Sequence, residues 1–311
     1  MYMRSYYLIS IIFLFAAGCT KDFNIDPGKS KQLYVIDGRI SNLEGPYLVR
    51  VTKSANSFPT LSGGQDNAEA VTGAQVIISD DMGPTDTLRA AEQRDVRYDP
   101  AISADRGYYV TTKFTGMPGH TYHLQVRIGD ETFQASASMP ASVPAIDSVV
   151  LKKDLVADPS GLLGDAAFAY FKEPQDENNY YALQLGVIYD SLYDRARWVY
   201  ASSWIFPYYI FDDKTLPPYV NGMEVLALIA GAVQDEHARF KPNWIIPYDP
   251  VQVRLFALTR ETYEYLSALE KQFLDDGNVY KPTPASAPGN ISGGALGLFW
   301  ATYISSKVVL R

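Results

Sequence analysis

The chain has 311 residues, 47% hydrophobic and 13% aromatic, which excludes an intrinsically disordered protein and leaves length for two ordinary domains that need no staples. Lys and Arg number 27 against 35 Asp and Glu, a net charge of −8, which argues against a nucleic-acid backbone or an anionic lipid surface as partner. A single cysteine excludes a disulfide framework.

That cysteine closes the first predicted element. Arg4 supplies a positive start, Tyr6 to Ala17 is apolar, and Ala16-Ala17-Gly18 are small residues. The apolar run is shorter than the roughly 20 residues a membrane span needs. Cys19 follows at once. The arrangement resembles a bacterial lipoprotein signal, although Ala16 stands where Leu is usual. The resemblance implies a signal peptide over 1–18, acylation of the Cys19 thiol and a polar tether over 19–32. Several acyl chains together anchor stably, at about 0.8 kcal/mol per buried methylene. Cys19-Thr20-Lys21-Asp22 also resembles a short signal that exports lipoproteins to the cell surface in Bacteroidota. A lipid-anchored outer-membrane protein, facing the cell surface, is therefore expected.

Strands at short spacing fill 33–140. Leu33 to Ile40 is the first, and Tyr47-Leu-Val-Arg-Val51 the second, with Tyr47, Val49 and Val51 sharing one face. A polar loop covers Ser54 to Val71. Gly73 to Ile78 is apolar and runs into the turn Asp80-Asp-Met-Gly83. Gly107-Tyr-Tyr-Val110 is another strand, and Met117-Pro-Gly119 a turn. The clearest alternation follows: Tyr122, Leu124, Val126 and Ile128 point inward, Gly129-Asp130 makes a tight turn, and Phe133 and Ala135 continue on the returning strand. This pattern predicts a β-sandwich. Tyr outnumbers Phe, 23 to 14, which suits half-buried strands whose hydroxyls stay wet.

Met139 to Pro144 is a Pro-bearing connector, and 145–311 reads as a second β-rich domain with one or two helices. Ile146 to Val150 opens it; Tyr181, Leu183, Leu185, Val187 and Tyr189 alternate; Val225–Ile229 and Val251–Leu258 are further strands. A helix begins at the N-cap Thr259, with Tyr263, Leu266, Leu269 and Phe273 as its stripe and Gly277 as its stop. The tail from Asn290 to Trp300 is Gly-rich and apolar, and Lys307–Leu310 closes the chain as a strand.

Cys19, Val35-Ile-Asp-Gly38, Gly73-Ala74, Gly107-Tyr108, Gly119 with Tyr122, Ile146-Asp147-Ser148, and Asn290-Ile291 through Gly293-Gly294 to Gly297 and Phe299 come in a characteristic order. The chain resembles, over nearly all of its mature part, the family called domain of unknown function 4249. The resemblance implies a Bacteroidota lipoprotein commonly encoded beside a TonB-dependent outer-membrane receptor. The first half is also similar to the immunoglobulin- or transthyretin-like sandwich of carboxypeptidase regulatory domains.

Signals for catalysis are weak, and no enzyme activity, cofactor or metal is expected. His120, His123 and His237 form no zinc-binding spacing. Asp235-Glu236-His237 and Asp275-Asp276 read as solvated charge. Asp80-Asp81 with Asp86 reads as an acidic turn, with calcium as the other reading. Gly293-Gly294-x-x-Gly297 lacks the Lys-Ser/Thr of a phosphate loop and reads as close backbone packing. Trp198, Tyr200, Trp204, Phe206, Tyr208, Tyr209 and Phe211 form an aromatic stretch with two readings, core filling or a binding surface. On the second reading Trp198, Trp204, Tyr208 and Tyr209 are the candidate site. The expected function is a lipid-anchored accessory that assists a TonB-dependent receptor in nutrient uptake, with a stand-alone glycan- or peptide-binding lipoprotein as the alternative.

Overall fold

Apolar and polar residues alternate along the early strands, and that alternation decides which face each strand buries. The computed structural model describes residues 32–54, 68–92, 103–112, 114–157, 163–191, 194–200, 209–228, 250–274 and 287–310. The first half carries β1 (Tyr34–Ser41), β2 (Leu48–Lys53), β3 (Glu69–Ala70), β4 (Gln75–Asp80), β5 (Thr85–Ala90), β6 (Tyr108–Val110), β7 (Thr121–Ile128) and β8 (Glu131–Ser138). Val49 and Val51, expected on one face, Tyr122, Leu124 and Val126, expected inward, and Phe133 and Ala135 of the returning strand all enter the first core, where Val76 and Ile78 of the apolar run join them. The β7–β8 hairpin closes at Gly129-Asp130, where Ile128 pairs with Glu131 and Gly129 takes a positive φ of 58°.

The second half carries β9 (Ile146–Ala157), β10 (Leu163–Lys172), β11 (Tyr180–Ser191), β12 (Asp194–Tyr200), β13 (Tyr209–Asp212), β14 (Tyr219–Leu228), β15 (Val251–Leu258), α1 (Arg260–Leu274) and β16 (Phe299–Val309). The fold is mainly β, and α1 is the single α-helix among the described residues. One continuous sheet runs β12-β11-β15-β16-β1-β2-β6-β5-β4-β7-β8, with β3 added to β2 and β13 to β11. A smaller sheet, β14-β10-β9, lies over β11 and β15, so Phe171, Val220 and Val225 meet Tyr181, Leu183 and Leu255 in a second core.

Thr259 caps α1 as expected: its hydroxyl accepts the Thr262 N–H at 3.3 Å. The helix covers the other face of β11 and β15, where Tyr265 and Leu266 meet Ala182, Phe256 and Trp300. Residues 181–186 of β11 are thus buried on both faces, although the sequence alternates as if one face were wet.

β16 joins the two halves. It runs parallel to β1, with Gly38 opposite Phe299, and antiparallel to β15, with Val251 opposite Val309. Phe299 and Ala301 enter the first core while Trp300 and Ile304 pack under α1. The strand starts earlier than the expected Lys307–Leu310 because this alternation begins at Phe299. The sequence boundary at 140–145 marks the outgoing passage from first core to second, and β16 crosses back over it.

The segment 290–298 closes the first sandwich. On one side Ser292 N–H donates to Gln134 O at 2.8 Å and Asn290 Nδ2 to Ser136 O at 3.0 Å. On the other, Leu296 N–H donates to Tyr34 O at 2.8 Å, and Ile36 N–H to Leu296 O at 2.9 Å. Gly297 sits at φ +104°, and a Cβ there would lie 2.1 Å from Ile36 O, so no side chain fits. Close backbone packing beside a strand thus holds for Gly297, whereas Gly293 and Gly294 form a turn at positive φ, with open space where a Cβ on Gly294 would lie.

Four tyrosines explain part of the excess of that residue. Tyr47, Tyr109, Tyr122 and Tyr181 bury their rings. Their hydroxyls are dry rather than wet. Tyr47 Oη accepts from Gly116 N–H at 3.0 Å, and Tyr109 Oη donates to Val71 O at 2.9 Å. Tyr122 Oη donates to Met117 O at 3.0 Å, and Tyr181 Oη to Glu173 Oε1 at 3.1 Å. Each ring fills a core and each hydroxyl ties down the loop at its margin.

Candidate functional site

Of the aromatic stretch, Trp204, Phe206 and Tyr208 lie outside the described residues, as do Cys19, His237 and Asp275-Asp276. Trp198 lies on β12, opposite Ile188 of β11. Tyr209 and Phe211 lie on β13, two residues apart and therefore on one face, with ring centroids 5.5 Å apart. Phe211 packs on Tyr181 and the second core, while Tyr209 is 46% exposed. Both readings of the stretch thus have a residue: Phe211 fills core, and Tyr209 offers an aromatic face to solvent.

The acidic turn after β4 is a clasp. Asp86 leaves it, accepting from Thr112 N–H at 2.6 Å and from Thr112 Oγ1 at 2.8 Å, so the oxygen set Asp80-Asp81-Asp86 does not assemble. Asp80 instead holds His120 Nδ1 at 2.8 and 2.9 Å from its two oxygens and accepts from Met82 N–H at 3.0 Å. Asp81 accepts from Thr121 N–H at 3.1 Å, which holds its carboxyl below the usual range. Ligand atoms of Asp80, Asp81 and His120 lie within 4.8 Å of one another. Each is engaged in fastening the β4–β5 turn to the 117–120 turn. Met82 and Met117, 68% and 51% exposed, stand at the tips of these two turns. His123 faces outward, bonded to Ser136 Oγ at 2.8 Å.

Sequence reasoning gave no role to Glu173. Its backbone follows β10 and donates to Pro218 O at 3.0 Å, which draws the side chain under the turn. Only 4% of the residue is exposed. Oε1 accepts from Tyr181 Oη at 3.1 Å and from Asn179 Nδ2 at 3.2 Å. Oε2 is buried and has no hydrogen-bond partner among the described residues. Burial raises the carboxyl above its ordinary value; the bonds to Tyr181 and Asn179 oppose the shift, and the charges of Asp213 and Glu177 add to it. Burial, followed by the charge of Glu173, also raises the Tyr181 hydroxyl. In Lys-Glu-Pro-Gln-Asp-Glu this glutamate reads as one more loop charge, and no local signal separates it.

No helix among the described residues is long and apolar enough to cross a membrane. The chain belongs to the family described as Domain of unknown function (DUF4249), whose profile matches residues 20–307. No curated protein matches it.

Proposed function

We propose that this chain is a lipid-anchored accessory protein of the outer membrane, held at the cell surface through Cys19, that works by recognition beside a TonB-dependent receptor during nutrient uptake. One observation carries the reading. The family match begins at residue 20, directly after the cysteine that ends the apolar leader, which supports an anchor at that cysteine ahead of the family body. The polar groups best suited to chemistry support recognition over bond-breaking. Asp80, Asp81, Asp86 and His120 are committed to holding turns.

The geometry of the first sandwich adds a direction. Gln32 leads into β1 beside Glu131, at the end where β7 turns into β8, whereas Asp80 pairs with Tyr122 at the start of β7. The exposed Met82 and Met117 therefore stand at the end away from Gln32, free to meet a partner. Affinity purification of a tagged chain from native membranes is the test. An outer-membrane barrel receptor should be recovered with the wild-type chain and lost with Cys19→Ala. Recovery of no such barrel overturns the reading.

The exposed ring of Tyr209 favours a second reading, a stand-alone glycan- or peptide-binding lipoprotein. Retention on a glycan affinity gel that falls on Trp204→Ala or Tyr209→Ala would select it.

A further inference from the structure

Two chain crossings meet at one end of the second sandwich. Residues 173–179 carry the chain from β10 of the small sheet to β11 of the large one, and residues 213–218 carry it back from β13 to β14. We infer that Glu173 is a pH-sensitive latch between these crossings: protonated, it lets them lock together; ionised, it loosens them and the β13 strand that carries the exposed Tyr209. The inference goes beyond the proposed function and does not depend on the anchor.

Asn179 is the middle of the lock. Its N–H donates to Asp213 Oδ2 at 2.6 Å, its C=O accepts from Asp213 N–H at 3.1 Å, and its side-chain amide donates to Glu173 Oε1 at 3.2 Å. Glu173 adds a second tie, from its own N–H to Pro218 O at 3.0 Å. One buried carboxyl therefore holds the residue that joins the two crossings. As a carboxylate it has two donors on one oxygen and none on the other, at 4% exposure, so its charge is better hydrated when the crossings part. The charges that bear on it are Glu177 on its own turn and Asp213 on the other crossing, both negative. Ionisation thus sets Glu173 against the carboxylate on the far side of the lock. Tyr181 of β11 faces it as a hydroxyl donor, and the cation Lys214 is turned to Asp212 at 2.6 Å. The motion can stay local. β13 is a four-residue strand paired with β11, whereas β15 lies between β11 and β16 in the middle of the large sheet. With the lock open the carboxyl titrates at its ordinary value of 4.5; with it closed, the proton is held to higher pH. The opening constant is therefore flat below 4.5, rises by at most roughly tenfold per pH unit above it, and levels off past the raised value.

Backbone hydrogen exchange of the full mature chain, followed by NMR from about pH 4 to about pH 7 beside Glu173→Gln, is the test. The intrinsic pH dependence of exchange cancels in the ratio of wild type to variant at each pH. At the Asn179 and Asp213 amides that ratio should rise about threefold or more across the range. Both amides should also exchange faster than those of Val253 and Leu255 in β15, which marks the opening as local. In the wild-type chain the Glu173 carboxyl carbon should titrate with a midpoint above 4.5, at the pH where the ratio levels off. Three results overturn the inference: a ratio that stays flat, exchange at Asn179 and Asp213 in step with β15, or a midpoint at or below 4.5. The titration and the comparison with β15 use the wild-type chain and so hold even if Glu173→Gln fails to fold.

Discussion

Glu173 is folded under a turn with one oxygen bonded and the other bare. Its raised carboxyl keeps a proton in the folded chain at pH values where the unfolded chain has released it. The resulting stability is full below the ordinary glutamate value of 4.5 and is lost as pH rises through the folded value. Glu173→Gln keeps the acceptor for Tyr181 and Asn179 and removes the titration. Its melting temperature should follow the wild type near pH 4 and stay flatter as pH rises; Glu173→Ala should lose about 2 kcal/mol near pH 4, the cost of stranding buried polar partners, and the gap to the wild type should narrow as pH rises. Thermal melts across pH check both. At this scale the sequence spoke unevenly. Gly297 was legible because a glycine run beside an apolar stretch has few uses. The tyrosine hydroxyls and Glu173 were not, since their partners lie in loops that only the assembled fold brings close.

Elements with local rules were readable. Alternation placed β2, β7 and β8, an apolar run placed β4, a two-residue turn placed the hairpin, and a threonine cap placed α1. Long-range pairing was not readable. β1 and β16 meet although about 260 positions separate Gly38 from Phe299, and no local pattern encodes that match. Two side-chain amides, one at the start of β16 and one at its middle, show what secures it. Asn290 accepts the Phe299 N–H at 2.9 Å and donates Nδ2 to Phe299 O at 2.7 Å. Asn42 does the same at Ile304, accepting its N–H at 2.7 Å and donating to its O at 3.0 Å. Each side-chain amide acts as one more rung of the ladder where the neighbouring backbone has turned away. Asn290→Asp sets a carboxylate against the carbonyls of Ser136 and Phe299, and should cost about 2–3 kcal/mol at neutral pH. The loss should shrink as pH falls toward the carboxylate range, about 4, where a proton restores one donor. Chemical denaturation at both pH values measures it.

At the scale of the whole molecule, two sandwiches share a strand, so their cores stand or fall together. A fragment covering 32–140 lacks Ile291, Phe299 and Ala301 from its core and both bonds that close β8. It should melt without a cooperative transition and bind a hydrophobic dye, while the full chain unfolds in one step. In the proposed arrangement this single body is held at the membrane through Cys19. The functional account depends on that attachment. Intact-mass measurement of the protein extracted from its native membranes tests it most directly. The account predicts a chain that begins at Cys19 and carries acyl groups on it; a chain that retains residues 1–18 with an unmodified thiol would contradict it.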